Sequence, residues 1–146
     1  NVNNENITDV VIAGMGGELI TDIISRAQWL ENGINLVLQP MTRPEVLRKW
    51  LYDNGFEILQ EQAVTDENFT YSVIQAEYCG NKIEISDFKA YVGKLRNDTE
   101  ENRRYLSNLA SKLKKIGDGL SKSQDKNEQS QKYLLLSEKI KALAEE

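Results

Sequence analysis

The sequence predicts an α/β fold: the carboxyl-terminal part of a doubly wound sheet that ends in an antiparallel hairpin, followed by an α-helical hairpin. Short apolar runs alternate with segments of helical period in the first half of the chain. Two strand-like segments then follow each other across a three-residue turn, which is too short for a parallel crossover. The last third repeats apolar residues at spacings of three and four, as paired helices do.

The composition limits the chemistry that the chain can perform. Its 146 residues carry 18 Lys and Arg, 23 Asp and Glu and no histidine, for a net charge of −5. Histidine-ligated metal and imidazole acid–base catalysis are therefore excluded, and no metal site is expected.

No apolar run approaches the roughly 18 residues that cross a bilayer, so no membrane partner is expected. The amino end lacks a signal peptide and the single Cys79 forms no internal disulfide, so we expect a cytoplasmic protein with a buried structural thiol.

Charge and composition divide the chain into two regions. Residues 1–80 hold 4 basic and 12 acidic side chains, a net charge of −8, and are rich in Val, Ile, Tyr and Phe. Residues 81–146 hold 14 basic and 11 acidic side chains, a net charge of +3, and are rich in Lys, Glu, Leu, Ser and Gln. The sequence thus predicts half of a sheet domain over 1–80, a linker over 81–97 and a helical hairpin over 98–146.

The first region begins with a strand and a helix joined by a glycine-rich loop. Residues 8–13 are an apolar run closed by Gly14-Met15-Gly16-Gly17, which predicts a strand buried on both faces that ends in a tight turn. A helix is predicted over residues 18–30, because its apolar residues recur every three or four positions. These residues are Leu19, Ile20, Ile23, Ile24 and Ala27.

The same alternation continues to the hairpin. A second strand is predicted over residues 34–38, followed by a helix with Thr42 as its amino-terminal cap and Pro44 in its first turn. Residues 56–65 and 69–79 then form the antiparallel hairpin. The order is β-α-β-α-β-β, and it leaves the first strand as an exposed apolar edge.

The second region predicts two amphipathic helices that fold back on each other. Asp98 and Glu101 are suited to a capping box at the start of the first helix. The polar residues 121–127 separate the helices, which predicts an antiparallel coiled-coil arm about 30 Å long. Its apolar seam is Leu106, Leu109, Leu113, Ile116 and Leu120, with Tyr133, Leu136, Ile140 and Leu143 on the second helix. Self-association through this arm is one expectation, and a purely structural role is the other.

The glycine-rich loop is the candidate ligand site, because it lies where a strand's carboxyl end meets a helix's amino end. It is not a dinucleotide fingerprint, since the third glycine position holds Leu19 and the next strand ends in Gln39-Pro40 without an acidic residue. It also lacks the Lys-Ser/Thr ending of a phosphate loop. Two interpretations stay open: the glycines admit a ligand to the backbone, or they serve only a tight turn and close helix packing.

Several segments together resemble one family. They are Ile12-Ala13-Gly14-Met15-Gly16-Gly17-Glu18-Leu19-Ile20, Leu38-Gln39-Pro40-Met41, Leu47-Arg48-Lys49-Trp50-Leu51 and Asn54-Gly55-Phe56. In this order and spacing they resemble the bacterial tRNA (adenine(22)-N1)-methyltransferases over residues 8–79. The helical hairpin resembles the coiled coil of that family more loosely.

The resemblance implies a Rossmann-like class I methyltransferase that transfers a methyl group from S-adenosylmethionine to N1 of an adenine in tRNA. The family's cofactor motif, an acidic residue followed by glycine after the first strand, has no counterpart after Asn1. We therefore expect the chain to be the carboxyl-terminal part of a longer protein. We expect the intact protein to bind S-adenosylmethionine, and this chain alone to be inactive.

The resemblance also implies roles for individual residues. Gly14, Met15 and Gly16 are the expected catalytic residues, and Ala13 with Gly14 borders the cofactor. Adenine N1 carries an in-plane lone pair, so methyl transfer needs alignment and exclusion of water and no strong base. An adenine inside folded tRNA must leave its stack, so basic side chains should hold the flanking backbone. The expected tRNA contacts are Gly17, Gln39, Pro40, Arg43, Arg48, Lys49, Lys112, Lys114 and Lys115.

Other interpretations stay open beside this one. The basic side chains of the helices are alternatively solvated faces without a ligand. The chain is alternatively a non-catalytic nucleotide-binding α/β module, which an upstream sequence without an acidic-glycine loop would favour. A third class is a protein–protein interaction module acting through the helical hairpin, in which deletion of residues 98–146 would abolish partner binding.

Overall fold

The structure is a computed structural model, and it describes residues 5–146. The chain forms two compact units, one that runs to Lys94 and one from Leu95 to Glu146. Within residues 5–146, no helix has the length and apolar character of a membrane span, and no cluster of three or more His, Cys, Asp or Glu side chains is placed to hold a metal ion.

The first unit is a mixed four-stranded sheet with three helices. Its elements are β1 (Asp9–Met15), α1 (Gly17–Ser25), β2 (Asn35–Pro40), α2 (Pro44–Asp53), β3 (Phe56–Asp66), β4 (Phe69–Tyr78) and α3 (Asp87–Val92). The strand order is β1-β2-β4-β3, with β1 and β2 parallel and β4 antiparallel to both of its neighbours. The predicted order and hairpin are confirmed. The prediction that the first strand is buried on both faces is wrong for this chain, because β1 lies at an edge, where Val11 is 68% exposed.

Some element boundaries differ from the prediction because local hydrogen bonds end the elements elsewhere. Helix α1 ends at Ser25, since the next two amides bond three residues back and a 3-10 turn, Gln28–Glu31, follows. Strand β2 extends two residues further than predicted, to Pro40. The prediction that Thr42 caps α2 is wrong: Arg43 precedes the helix in a left-handed conformation, with φ of 50°.

One face of the sheet carries the hydrophobic core. Helices α1 and α2 contribute Ile20, Ile24, Leu47 and Leu51, all at most 3% exposed. They belong to one cluster with the alternate, inward side chains of the strands. These strand residues are Ile12, Leu36, Leu38, Phe56, Ile58, Ile74 and Ala76. The core therefore holds the two helices, and with them the loops that precede them, against the sheet.

The opposite face carries a ladder of polar side chains that crosses all four strands. Gln60 on β3 donates to Gln75 on β4, and Gln75 Nε2 donates to Asn35 Oδ1 on β2 at 2.8 Å. Asn35 Nδ2 donates to Asp9 Oδ1 on β1 at 2.8 Å. Hydrogen bonds from Thr8 and from Asn35 lower the pKa of the Asp9 carboxyl. Because each bond joins neighbouring strands, the ladder favours this strand register.

The segment after β4 differs from the prediction in two ways. Cys79 is exposed, because β4 ends at Tyr78 and the cysteine lies in the turn beyond it. The predicted buried thiol is therefore wrong. Residues 81–97, predicted as a linker, contain α3, which Ser86 caps by accepting a hydrogen bond from the Lys89 amide at 3.2 Å.

The second unit is a pair of antiparallel helices, α4 (Glu100–Leu120) and α5 (Asn127–Glu145). Ser130 Oγ donates to the Gly117 carbonyl at 2.7 Å, and Ser137 Oγ donates to the Ala110 carbonyl at 2.6 Å. The buried seam of α4 includes Leu106 and Leu113, as predicted, and also Ala110 and Gly117. The predicted seam residue Ile116 is 37% exposed, whereas the neighbouring Gly117 is buried against Leu134 and Ser130 of α5. Self-association through this hairpin stays a prediction.

The amino-terminal cap of α4 differs from the predicted capping box. Thr99 Oγ1 accepts from the Asn102 amide at 3.0 Å, and Asp98 Oδ1 accepts from Asn102 Nδ2 at 2.8 Å.

We expect Thr99→Ala to lower the free energy of unfolding by about 1 kcal/mol, because an amide at the helix start loses its partner. Urea denaturation followed by circular dichroism measures this change. Thr99→Ser is the control that keeps the hydroxyl, and equal stability of all three proteins would contradict the cap.

Candidate functional site

Two loops meet at the carboxyl ends of β1 and β2. The first, Gly14–Gly17, joins β1 to α1, and the second, Met41–Arg43, joins β2 to α2. Gly14 has φ of +75° and interrupts the strand pairing, which shifts register between Ala13 and Met15. A glycine is required there because this backbone conformation is strained for other residues.

Three hydrogen bonds join the two strand ends and their loops. The Gly14 amide donates to Gln39 Oε1 at 3.0 Å, and the Gly17 amide donates to the Thr42 carbonyl at 2.7 Å. The Met41 amide donates to the Met15 carbonyl at 2.8 Å. The structure thus brings together the glycine loop and the strand end at Gln39, which the sequence predicts as parts of one site. The role of residues 41–42 was missed, although they follow β2 as the glycine loop follows β1.

The glycines of the first loop serve different purposes. A Cβ at Gly17 would lie 2.2 Å from the Arg43 carbonyl oxygen, and one at Gly16 would lie 2.8 Å from Thr42 Oγ1. Because Gly16 and Gly17 have no side chain, residues 42–43 of the second loop can pack against the first loop. This agrees with the interpretation that these glycines serve close packing. A Cβ at Gly14 would have no atom within 4 Å, and this residue is exposed. Gly14 is thus the position of the three where a ligand has room to approach the backbone.

The surface around Gly14 is apolar with one amide. Ala13 is exposed, Met15 is 38% exposed and Met41 is 40% exposed. The half-buried Gln39 places its Nε2 3.5 Å from Met41 Sδ, which is a weak acceptor. A flat, partly polar ligand could pack against these apolar side chains and form a hydrogen bond with the Gln39 amide.

Two predicted substrate contacts are corrected by burial. Gly17 is buried and its amide is taken by Thr42, so it shapes the junction of the loops. Pro40 is buried at the end of β2, where the ring removes a backbone donor and ends the strand. Neither residue presents a side chain to a ligand.

Arg48 is the third correction, because its side chain is fully buried. Its Nε and Nη2 atoms donate to the Glu61 carboxylate at 3.0–3.2 Å, and its Nη1 donates to the carbonyls of Ala90 and Tyr91 at 2.9 and 2.8 Å. Ser72 Oγ donates to the same carboxylate at 2.8 Å. The guanidinium therefore holds α2, β3 and α3 together and is not exposed to a ligand.

The other predicted cations of the first unit are accessible. Arg43 is 58% exposed and donates to Glu18 at 2.7 Å, while Lys49 is 52% exposed and lies 3.7 Å from Asp53. Exposed ion pairs contribute at most about 1 kcal/mol, so a phosphate can replace either carboxylate at little cost. In the second unit Lys112, Lys114 and Lys115 are all exposed on α4, and Lys114 pairs with Asp118 at 3.0 Å.

Sequence comparison identifies related proteins. Residues 2–146 match the family model TrmK, described as tRNA (adenine(22)-N(1))-methyltransferase. A Bacillus subtilis protein named tRNA (adenine(22)-N(1))-methyltransferase is 26% identical over 143 residues, which cover 93% of this chain and 60% of the relative. A Mycoplasma genitalium putative tRNA methyltransferase is 41% identical over 68 residues, or 46% of this chain and 30% of that protein. The chain thus spans about three fifths of the length of the first relative.

Solved structures share the fold. A Streptococcus agalactiae protein of the NADB-Rossmann superfamily has a TM-score of 0.79 at 25% identity, over 97% of this chain and 63% of its own. A Streptococcus pneumoniae putative tRNA (m1A22) methyltransferase has a TM-score of 0.78 at 23% identity, over 97% and 64%. The sheet with its helices is therefore similar to part of a Rossmann-type domain in larger chains.

Proposed function

Because this chain belongs to the tRNA (adenine(22)-N(1))-methyltransferase family, we propose that its protein transfers a methyl group from S-adenosylmethionine to N1 of an adenine in tRNA. The family match over residues 2–146 is the observation that carries the proposal. The chain spans 60% of the Bacillus subtilis relative, so the proposal concerns the protein with its complete reading frame.

The proposed cofactor is S-adenosylmethionine, which supplies an electrophilic methyl group on sulfur when bound. A solved Streptococcus pneumoniae relative is described in complex with S-adenosylmethionine, and a Mycoplasma capricolum relative in complex with S-adenosylhomocysteine. The residues of this chain fit such a group on one side, because Gly14 has open space at its Cβ position and Ala13 is exposed. In this proposal, Ala13 and Gly14 border the cofactor.

The proposed chemistry agrees with the absence of histidine from the sequence. Adenine N1 attacks through an in-plane lone pair, so the chain needs to orient the base and exclude water, and no strong base is required. We assign orientation to Gly14, Met15 and Gly16, with the Gln39 amide as a hydrogen-bonding group for the base edge. The bond between the Gly14 amide and Gln39 Oε1 supports this assignment, since it fixes the Gln39 side chain beside the loop.

The proposed macromolecular substrate is tRNA, and the protein is proposed to act in the cytoplasm. Arg43 and Lys49 are exposed on the first unit and are suited to phosphate contacts. Lys112, Lys114 and Lys115 provide a second basic surface on α4. The acidic net charge of −5 does not oppose this role, because local charge decides where RNA binds.

The decisive experiment is methyl transfer by the protein with its complete reading frame. Labelled S-adenosylmethionine is incubated with unmodified tRNA, and the product is digested to identify the nucleoside. We expect N1-methyladenosine at one position of the tRNA. A folded protein that binds S-adenosylmethionine and transfers nothing to tRNA would contradict the proposal.

The lysines of α4 give a separate prediction about RNA binding. We expect Lys112→Ala combined with Lys115→Ala to reduce the slope of log affinity against log salt by about 1 for each lost phosphate contact. Filter binding of tRNA at several salt concentrations measures the slope. Lys141→Ala is the matched control, because it removes a lysine of the same unit that pairs with Glu145 at 4.0 Å. An unchanged slope in the double variant would show that these lysines are solvated and contact no phosphate.

A further inference from the structure

An exposed aromatic pair lies at the turn end of the β3–β4 hairpin. Phe69, the first residue of β4, is 65% exposed, and its ring centroid lies 6.3 Å from that of Tyr71. The two ring planes are inclined by only 24° and the rings are stacked, with Phe69 the more exposed of the two. Neither ring belongs to the core cluster of this unit.

The strand register places these rings at the same end of the sheet as the two loops. Strand β4 is antiparallel to β2, with Leu36 opposite Ala76 and Leu38 opposite Ile74. The last recorded pair is Leu38 with Ile74, and the same register extended along the chain would set Gln39 opposite Val73 and Met41 opposite Tyr71. The aromatic pair therefore lies beyond the last paired residues of β2 and β4, at the same end of the sheet as the loops of the candidate site.

The rings also lie on the same sheet face as Gln39. Leu38 and Ile74 point into the core and are fully buried, so the alternating neighbours point to the opposite face. Gln39 is one position from Leu38 and Tyr71 is three positions from Ile74, so both side chains point to that opposite face, and both are half-buried. The Gln39 side chain, which accepts a hydrogen bond from Gly14, therefore lies on the same face of the sheet as the two rings.

The charge around the rings determines which part of RNA they can contact. Residues 50–81 contain no Lys or Arg, and the hairpin turn carries Asp66 and Glu67. Phosphates are repelled from such a turn, whereas the face of a nucleobase stacks on aromatic rings without a cation. A hairpin end that carries aromatic rings and no cation of its own favours contact with an unpaired base over contact with phosphate.

We propose that Phe69 and Tyr71 form a stacking platform for an unpaired nucleobase of tRNA next to the target adenine. The proposal rests on the proposed function for the identity of the RNA. It adds a substrate-positioning surface that the basic residues cannot supply, because phosphate contacts hold the RNA backbone whereas stacking holds the base itself.

The test compares Phe69→Leu with Phe69→Trp in the protein with its complete reading frame. We expect Phe69→Leu to raise the Kd for unmodified tRNA on the order of tenfold, because an apolar side chain without a ring cannot stack. Phe69→Trp should keep the affinity of the unaltered protein. The salt slope should stay unchanged in both variants, since no phosphate contact is lost. Ile83→Ala is the control, because Ile83 is 51% exposed and lies outside this hairpin.

Each other outcome has a distinct meaning. An unchanged Kd in Phe69→Leu, or a reduced salt slope, would overturn the platform. A lower melting temperature with weaker S-adenosylmethionine binding would also overturn it, because the rings would then pack against another part of the protein. Failure of the unaltered protein to methylate tRNA overturns the proposed function instead, and tRNA binding that still depends on Phe69 would retain the platform.

Discussion

Arg48→Ala should lower the free energy of unfolding by about 3–5 kcal/mol, because it leaves the buried carboxylate of Glu61 without its cation. Both side chains are 0% exposed, and Arg48 Nη2 lies 3.0 Å from Glu61 Oε2. The substitution also removes the donors to the carbonyls of Ala90 and Tyr91. Urea denaturation of this chain, followed by circular dichroism, measures the loss.

The neighbouring residue provides the control. Lys49→Ala should change the stability by no more than about 0.5 kcal/mol, since Lys49 is half exposed and its ion pair with Asp53 is 3.7 Å long. Arg48→Met combined with Glu61→Leu should be less harmful than Arg48→Ala, because it removes both buried charges. Equal effects of the Arg48 and Lys49 substitutions would contradict the ion pair as an essential part of this unit.

Gly93 belongs to the same buried cluster. It has φ of +63°, and a Cβ at this position would lie 2.0 Å from Glu61 Oε1 and 2.6 Å from Arg48 Nε. The Lys94 amide donates to Glu61 Oε1 at 3.3 Å. The ion pair therefore also fixes the chain after α3, which explains why residues 87–94 are ordered on the sheet unit and are not a simple linker.

The role of Arg48 could not be predicted from the sequence, whereas the order of elements could. Helical period places residue 48 beside the inner positions Leu47 and Leu51, but it cannot reveal a partner on another element. Simple alternation from Phe56 and Ile58 would also turn Glu61 outward. The register shift between Ile58 and Gln60 reverses the alternation, so Glu61 points inward to Arg48.

The meeting of the two loops was predictable for a topological reason. Parallel neighbouring strands end at the same edge of a sheet, so the segments after β1 and β2 had to lie together. The separate roles of the glycines were not predictable, because they depend on how closely Thr42 and Arg43 approach. That approach is a contact between segments far apart in the sequence, which no local pattern encodes.

Gly17→Ala should reduce methyl transfer by about a hundredfold in the protein with its complete reading frame, because it forces the two loops apart. The added Cβ would lie 2.2 Å from the Arg43 carbonyl oxygen and 3.0 Å from the Thr42 carbonyl oxygen, and both are backbone atoms that cannot rotate away. Displacing the second loop also displaces Met41, whose amide bonds the Met15 carbonyl. Turnover with saturating tRNA and S-adenosylmethionine measures the effect.

Gly119→Ala is the matched control for Gly17→Ala, because the same change meets no atom within 4 Å on the exposed side of α4. It should leave turnover unchanged and stabilise the helix by about 0.5–1 kcal/mol. Circular dichroism must show that the Gly17 variant keeps its sheet and helices, so that lost turnover reports loop geometry and not unfolding. Normal turnover in a folded Gly17→Ala protein would mean that catalysis does not depend on the junction of the two loops, and the assignment of Gly14, Met15 and Gly16 to the site would then be wrong.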